Sequence, residues 1–328
     1  MPPGWIDLAV GEAHIVRQAL VDTYPSWIFD CHQSNVECDY QPPNGYPPLV
    51  KLLERRYEPY GARVVITAGA KQALAATFYA AKLKGMTHVA MRAPYWSQMP
   101  AGIRLAGLQP WFSDEPVEHS AYLLVSPNNP DGAVIDKEEA LRMQARCKAL
   151  GVPFVHDAAY HTPTYGCRGP LLAGTSVHSV SKSHGLSGLR IGYLVTDDPE
   201  TYQAACEYVE AATVGVSLLS QRLLERLFAF EEQDPPAYAS FVHRSEEALR
   251  RAKEIVSELK PEVLDASNAA TSTGMFGWFK AGPRFNADAA QVHVAPGYAF
   301  GDPSRVRLNL AVDPQVLREA VKRLNALA

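Results

Sequence analysis

Between residues 63 and 196 this chain alternates short β-branched, apolar stretches with longer helix-patterned ones, and that alternation constrains its fold more than any other feature. The stretches 63–67, 88–92, 108–112, 122–126, 152–157, 176–181 and 191–196 read as strands. Helical spacing of apolar residues covers 48–57, 71–83, 137–150 and 200–212, between or beside them. Strands that alternate with helices pair most economically as a sheet covered by helices, an α/β architecture. After Val214 the pattern changes to long polar helices over 218–231 and 236–259, strand-like 274–280 and 305–311, and a last helix over 314–327. This predicts a large domain over 37–214 and a smaller α+β domain built from 1–36 and 215–328. No internal repeat or low-complexity stretch interrupts the plan, and the Pro/Gly-rich segment 40–48 reads as a shaped loop.

Chemistry concentrates in the segment 179–190, Ser-Val-Ser-Lys-Ser-His-Gly-Leu-Ser-Gly-Leu-Arg. Lys182 can condense with an aldehyde as a Schiff base. Ser179 and Ser181 can hydrogen-bond a phosphate, and Arg190 offers it a planar, permanently charged partner. These parts describe a site for pyridoxal 5'-phosphate. Three other segments supply what such a site needs. The buried strand 152–157 ends in Asp157, and a carboxylate there can pair with a pyridinium nitrogen. Tyr160, three residues on, can reach the ring's phenolic oxygen, and so can Asn129 in Ser-Pro-Asn-Asn-Pro-Asp-Gly (126–132). Gly69, Ala70 and Lys71 follow a strand and open a helix, whose free N–H groups favour an anion.

With these segments in that order, the chain resembles the fold-type I pyridoxal-phosphate enzymes, specifically the class I/II aminotransferase family, over nearly its whole length. The resemblance implies a mostly parallel seven-stranded sheet sandwiched by helices, with 191–196 as its antiparallel member. The family's Tyr-x-x-x-x-Gly-x-x-x-Leu pattern fits at Tyr40, Gly45 and Leu49. Its tyrosine reaches the phosphate of the neighbouring subunit, so Tyr40 implies a homodimer. Trp96, in Ala-Pro-Tyr-Trp (93–96), takes the place of the aromatic residue that lies on the pyridine ring, although it serves equally as core. Arg307 matches the clamp for the substrate's α-carboxylate. Gly11 lies in the segment that approaches the substrate side chain. The implied reaction transfers an amino group between an amino acid and a 2-oxo acid through Lys182.

Departures from the family pattern bear on the substrate. Ala70 stands where many relatives carry a hydroxyl, leaving phosphate to backbone N–H groups aided by Lys71. Asp131 replaces the usual threonine of Asn-Pro-Thr-Gly, and Ala158 the usual glutamate after the aspartate. At 328 residues the chain is short for the family. The same residues would serve a decarboxylase, a lyase or a synthase acting on an unusual or bulky amino acid. Which bond breaks depends on which stands perpendicular to the ring, and an arginine holding the carboxylate in the ring plane favours C–H cleavage. A non-catalytic ligand-sensing domain is the alternative of another class. Such regulators carry a DNA-binding segment ahead of the fold, whereas only about forty residues precede the Tyr40 loop.

Composition excludes several other classes. A net charge of -4 and the lack of a Lys/Arg run give no nucleic-acid footprint. The five cysteines, at 31, 38, 147, 167 and 206, are odd in number and show no Cys-x-x-Cys spacing, so neither zinc nor a disulfide framework is expected. They suit a reducing cytoplasm. No basic-then-apolar leader opens the chain, and no apolar run reaches membrane-spanning length. His156 and His161 flank Asp157 and Tyr160, but neighbouring strand residues point to opposite faces, which argues against a metal site. His184 reads as polar lining near the lysine. Glu12, His14 and the basic helical stretch Lys51, Arg55 and Arg56 read as solvated surface.

Overall fold

The computed structural model describes residues 3–9, 14–24, 40–60, 63–167, 169–269 and 273–328. Its centre is a seven-stranded sheet of β1 (Arg63–Thr67), β2 (His88–Met91), β3 (Gln109–Phe112), β4 (Ser120–Val125), β5 (Phe154–Asp157), β6 (Thr175–Ser179) and β7 (Gly192–Thr196), in the order β1-β7-β6-β5-β4-β2-β3. β3, β2, β4, β5 and β6 run parallel, while β7 is antiparallel to both β1 and β6. Strands are apolar on both faces: Val64, Val65 and Ile66 of the edge strand β1, and Val155 of the central β5, are buried. That is the pattern of a sheet sandwiched by helices.

The covering helices are α1 (His14–Thr23), α2 (Pro47–Tyr57), α3 (Ala70–Leu83), α4 (Met99–Leu105), α5 (Lys137–Leu150), α6 (Val180–Ser183), α7 (Pro199–Thr213), α8 (Leu218–Gln233), α9 (Pro235–Val256) and α10 (Pro314–Asn325). Their ends follow local chemistry. Asp136 accepts the Glu138 and Glu139 amides at the start of α5, and Gly151 closes it in the left-handed conformation. Asp198 and Asp313 cap α7 and α10 just ahead of a first-turn proline. Three of these helices lie outside the sequence expectation: α1, α4 and α6, the last beginning where the strand expected over 176–181 already ends at Ser179. Pro100 and Gly102 hide α4, whereas α1 carries a readable signal in its buried Ile15, Val16, Ala19 and Leu20.

Helices α1, α2, α8 and α9 pack on one side of the sheet in a core that includes Leu20, Leu53, Leu224, Phe228 and Phe241. A second sheet has the order β10 (Ala295–Pro296), β11 (Arg305–Asn309), β9 (Phe276–Ala281), β8 (Leu264–Asp265), all antiparallel. It is covered by α9 and α10 around Val256, Phe279, Leu308 and Leu317. The N-terminal Ile6–Asp7 returns to this part of the molecule, pairing with Val292–His293. No helix among the described residues is long and apolar enough to cross a membrane.

Candidate active site

The sheet's register gathers the candidate residues at one edge. Asp157 is the last residue of β5 and pairs with Val125 at the end of β4, just ahead of Asn129. Ser179 ends β6 opposite Gly192, and Gly192 also faces Thr67 at the end of β1. Because β7 runs backwards, its start brings Arg190 beside the Gly69 turn. Strand ends of a parallel sheet are where such folds bind ligands. A cleft of about 750 Å³ opens there, and Lys182, Asp157, Tyr160, Asn129, Trp96 and Arg307 all line it.

At one end, Gly69 precedes α3 at φ +83° and ψ 166°, a region open essentially to glycine alone. A Cβ there would stand 2.6 Å from Arg190 Nη2, and one at Gly192 would stand 2.6 Å from the Ala70 nitrogen. No side chain caps α3, so its first amides serve whatever anion occupies the turn. Arg190 is held by donating to the carbonyls of Ser187 (3.0 Å) and Ala68 (3.3 Å). Ser179 Oγ accepts the Ser181 amide (3.2 Å), capping α6, and both serines line the cleft or its wall. Lys71 is engaged from two sides: Nζ donates to Gln98 Oε1 and sits 5.2 Å from the Trp96 ring centroid.

In the middle, Asp157 is 5% exposed, and its Oδ1 accepts the Ala159 amide at 3.1 Å. Burial pushes its carboxyl up to about 6 against that hydrogen bond. Burial likewise pushes the Tyr160 phenol up to about 12, with the Arg307 guanidinium pulling the other way. Asn129 Nδ2 donates to Tyr160 Oη (3.0 Å), and Arg307 Nη1 donates to Asn129 Oδ1 (2.9 Å). At the far end, Arg307 is buried between the rings of Phe276 and Phe300, 4.1 and 4.8 Å from its Cζ. Nη2 donates to the Ala9 carbonyl (2.7 Å), while the buried Nε has no partner. Burial lowers this guanidinium's pKa.

These features fit pyridoxal 5'-phosphate: a side-chain-free cradle beside an arginine for the phosphate, a buried carboxylate for the ring nitrogen, and a lysine between them. The structure therefore brings Gly69, Ala70, Lys71, Trp96, Asn129, Asp157, Tyr160, Ser179, Ser181, Lys182, Arg190 and Arg307 to one cleft. Gly11 and Glu12 lie outside the described residues. Tyr40 is 86% exposed, and His14 is exposed.

Two sequence expectations are corrected. His184 turns away from the cleft. Its Nδ1 lies 2.7 Å from Ser183 Oγ and its Nε2 2.7 Å from Glu231 Oε1, in a second cavity of about 290 Å³ behind the lysine turn. Arg56 is not a solvated residue: it pairs with Glu231 (3.3 Å) and lies 4.2 Å from the Phe228 ring centroid, because α8 packs across α2. Lys51 and Arg55 are exposed. His156 donates from Nε2 to the Ser126 carbonyl (3.0 Å), and burial lowers its pKa to about 4. No His/Cys/Asp/Glu group among the described residues could hold a metal. Thr164 and Tyr165, whose hydroxyls reach the carbonyls of Ser183 and of Lys182 itself, carried no signal in the sequence.

Known proteins resemble this chain in sequence and in fold. The family model described as aminotransferase class I and II matches residues 4–324. The probable aspartate/prephenate aminotransferase of Aquifex aeolicus (strain VF5) is 28% identical over 331 residues, covering 87% of this chain and 82% of that protein. Aspartate aminotransferase of Streptomyces avermitilis is 29% identical over 335 residues, with 88% and 81% covered. In fold, the chain is similar to Thermus thermophilus aspartate aminotransferase with maleate, with a TM-score of 0.81 at 22% identity, covering 99% of this chain and 92% of that one.

Proposed function

The chain belongs to the class I and II aminotransferase family and is a pyridoxal-phosphate-dependent transferase of amino groups between amino acids and 2-oxo acids; from that premise we propose what each of its residues does. Bound, the cofactor supplies an aldehyde for covalent attachment and a ring that takes up the electron pair released at the substrate's α-carbon. Lys182 would be the attachment point and, with its amine free, the base that moves the α-proton. Asp157 holds a proton on the ring nitrogen. Tyr160 and Asn129 bind the phenolic oxygen, and Trp96 covers the ring face. Ser179, Ser181, Arg190 and the amides of Ala70 and Lys71 hold the phosphate, while Gly69, whose own amide donates to the Thr67 carbonyl (2.8 Å), keeps the turn clear of a side chain. Arg307 takes the α-carboxylate.

The observation that carries this reading is the position of Arg307. Its unpartnered Nε is buried between two rings, on a guanidinium linked through Asn129 to Tyr160. A carboxylate fixed there orients the α-carbon, which favours loss of the α-proton over loss of the carboxylate. Tyr40, exposed in the single chain, is proposed to complete the phosphate site of a second copy, making the working unit a homodimer.

Borohydride reduction followed by peptide mapping tests the lysine: the label is expected on Lys182, and Lys182→Ala is expected to lose the visible absorbance of the attached cofactor and all turnover. A label on Lys71 refutes the assignment. A screen of amino acids for conversion to the pyridoxamine spectrum tests the reaction, and release of carbon dioxide or ammonia instead refutes transfer.

A further inference from the structure

The four-residue helix α6 carries Lys182, and so short a helix leaves most of its carbonyls without intrahelical partners. Side-chain hydroxyls take three of the carbonyls in this turn. Ser183 Oγ donates to the Ser179 carbonyl (3.1 Å), Thr164 Oγ1 to that of Ser183 (3.0 Å), and Tyr165 Oη to that of Lys182 itself (2.6 Å). Thr164 and Tyr165 sit side by side in the 3-10 turn Pro163–Tyr165, which Thr162 Oγ1 caps by accepting the Thr164 amide. The lysine's peptide is therefore gripped from outside its own element. The Tyr165 oxygen also lies 3.2 Å from Sδ of the buried Met275, the neighbour in sequence of Phe276, whose ring stacks on Arg307.

We infer that Tyr165 is a positioning residue for Lys182, fixing the lysine's peptide carbonyl. The proposal rests on the reading of Lys182 as the cofactor lysine. A base that must reach the α-carbon after losing its covalent tether depends on its backbone for aim, and a displacement of about 1 Å can cost about 100-fold in rate. The Tyr165 hydroxyl suits this work because burial drives its pKa well up, so that it stays a donor throughout the working range. Tyr165 does not itself line the cleft; it meets two residues that do, Lys182 through this hydrogen bond and Tyr160 with ring centroids 6.4 Å apart, and Tyr165→Phe alters only the first.

Tyr165→Phe keeps the ring and removes that bond. In the holoenzyme the expected result is a kcat lowered about 10- to 100-fold with KM for the amino acid within about twofold. The pH midpoint of the substrate-free visible absorbance, which reports the lysine linkage, should move by about half a unit. Met275→Leu leaves the bond to Lys182 in place and should not move that midpoint. Thr164→Val removes the neighbouring bond to the Ser183 carbonyl, together with the contact to Thr162 Oγ1 (3.0 Å), and should shift kcat and midpoint in the same direction by less; it decides the matter if Tyr165→Phe does not fold. A Tyr165→Phe enzyme that melts earlier but keeps its kcat and absorbance midpoint overturns the proposal. Borohydride mapping on the same samples separates the two layers: a label off Lys182 refutes the site, not the role of Tyr165.

Discussion

Asp157→Asn should stabilise the cofactor-free protein while disabling the enzyme. Burial raises the Asp157 carboxyl from 3.8 to about 6. At about 1.36 kcal/mol per unit, ionising it inside the fold costs up to about 3 kcal/mol. The folded state binds this proton more tightly than the unfolded chain does, so stability is highest below the unfolded value and falls as pH rises through the window from 3.8 to about 6. Asparagine carries no such charge, and its oxygen can still accept the Ala159 amide. Urea unfolding of both cofactor-free proteins should therefore show the variant more stable by as much as about 3 kcal/mol at pH 8, with the gap closing toward pH 4. Opposite a protonated ring nitrogen the ionised carboxylate becomes the favoured form. The cofactor should then stabilise the wild type more than the variant, and the variant's turnover should drop by about 100-fold or more, as when one preorganised electrostatic contact is lost. A variant no more stable than wild type at pH 8, or a difference flat across pH, would refute the claim that burial strains this carboxylate.

Three further outcomes follow from the cradle and the exposed loop. Gly69→Ala places a methyl 2.6 Å from the Arg190 guanidinium in a glycine-only conformation, so it should destabilise the fold by about 1–3 kcal/mol and raise the cofactor dissociation constant; Arg190→Ala should weaken cofactor retention alone, measured by equilibrium dialysis. Mixing Tyr40→Phe chains with Lys182→Ala chains should restore activity above that of either parent, because one hybrid site joins an intact lysine to an intact tyrosine; a fully active protein that stays monomeric by light scattering would end the idea.

The sheet was legible because its strands are short, apolar and bounded by turn residues, and several chemical residues sit at or just past a strand end, where sequence order and spatial order coincide. Asp157, Lys182 and Asn129 belong to that class. Helix α4 was not legible, since Pro100 and Gly102 argue against a helix that tertiary contacts nonetheless hold around Met99 and Ile103. Arg56 and His184 failed for another reason. Their partner Glu231 lies 175 and 47 residues away, and no local pattern announces which charged residue a distant helix will bury. Thr164 and Tyr165 are alike in this: a hydroxyl aimed at a backbone carbonyl leaves no periodic trace.

The string from Arg307 through Asn129 to Tyr160 has a direction. A guanidinium has only protons to offer, so the Asn129 atom it meets must be the amide oxygen. That choice turns the amide's N–H₂ toward Tyr160, and the phenol oxygen must then receive. An oxygen that receives from one side keeps its own proton to give on another. An arginine at the carboxylate end of the cleft thus fixes the polarity of a hydroxyl at the ring end, and it does so through an amide that can face only one way.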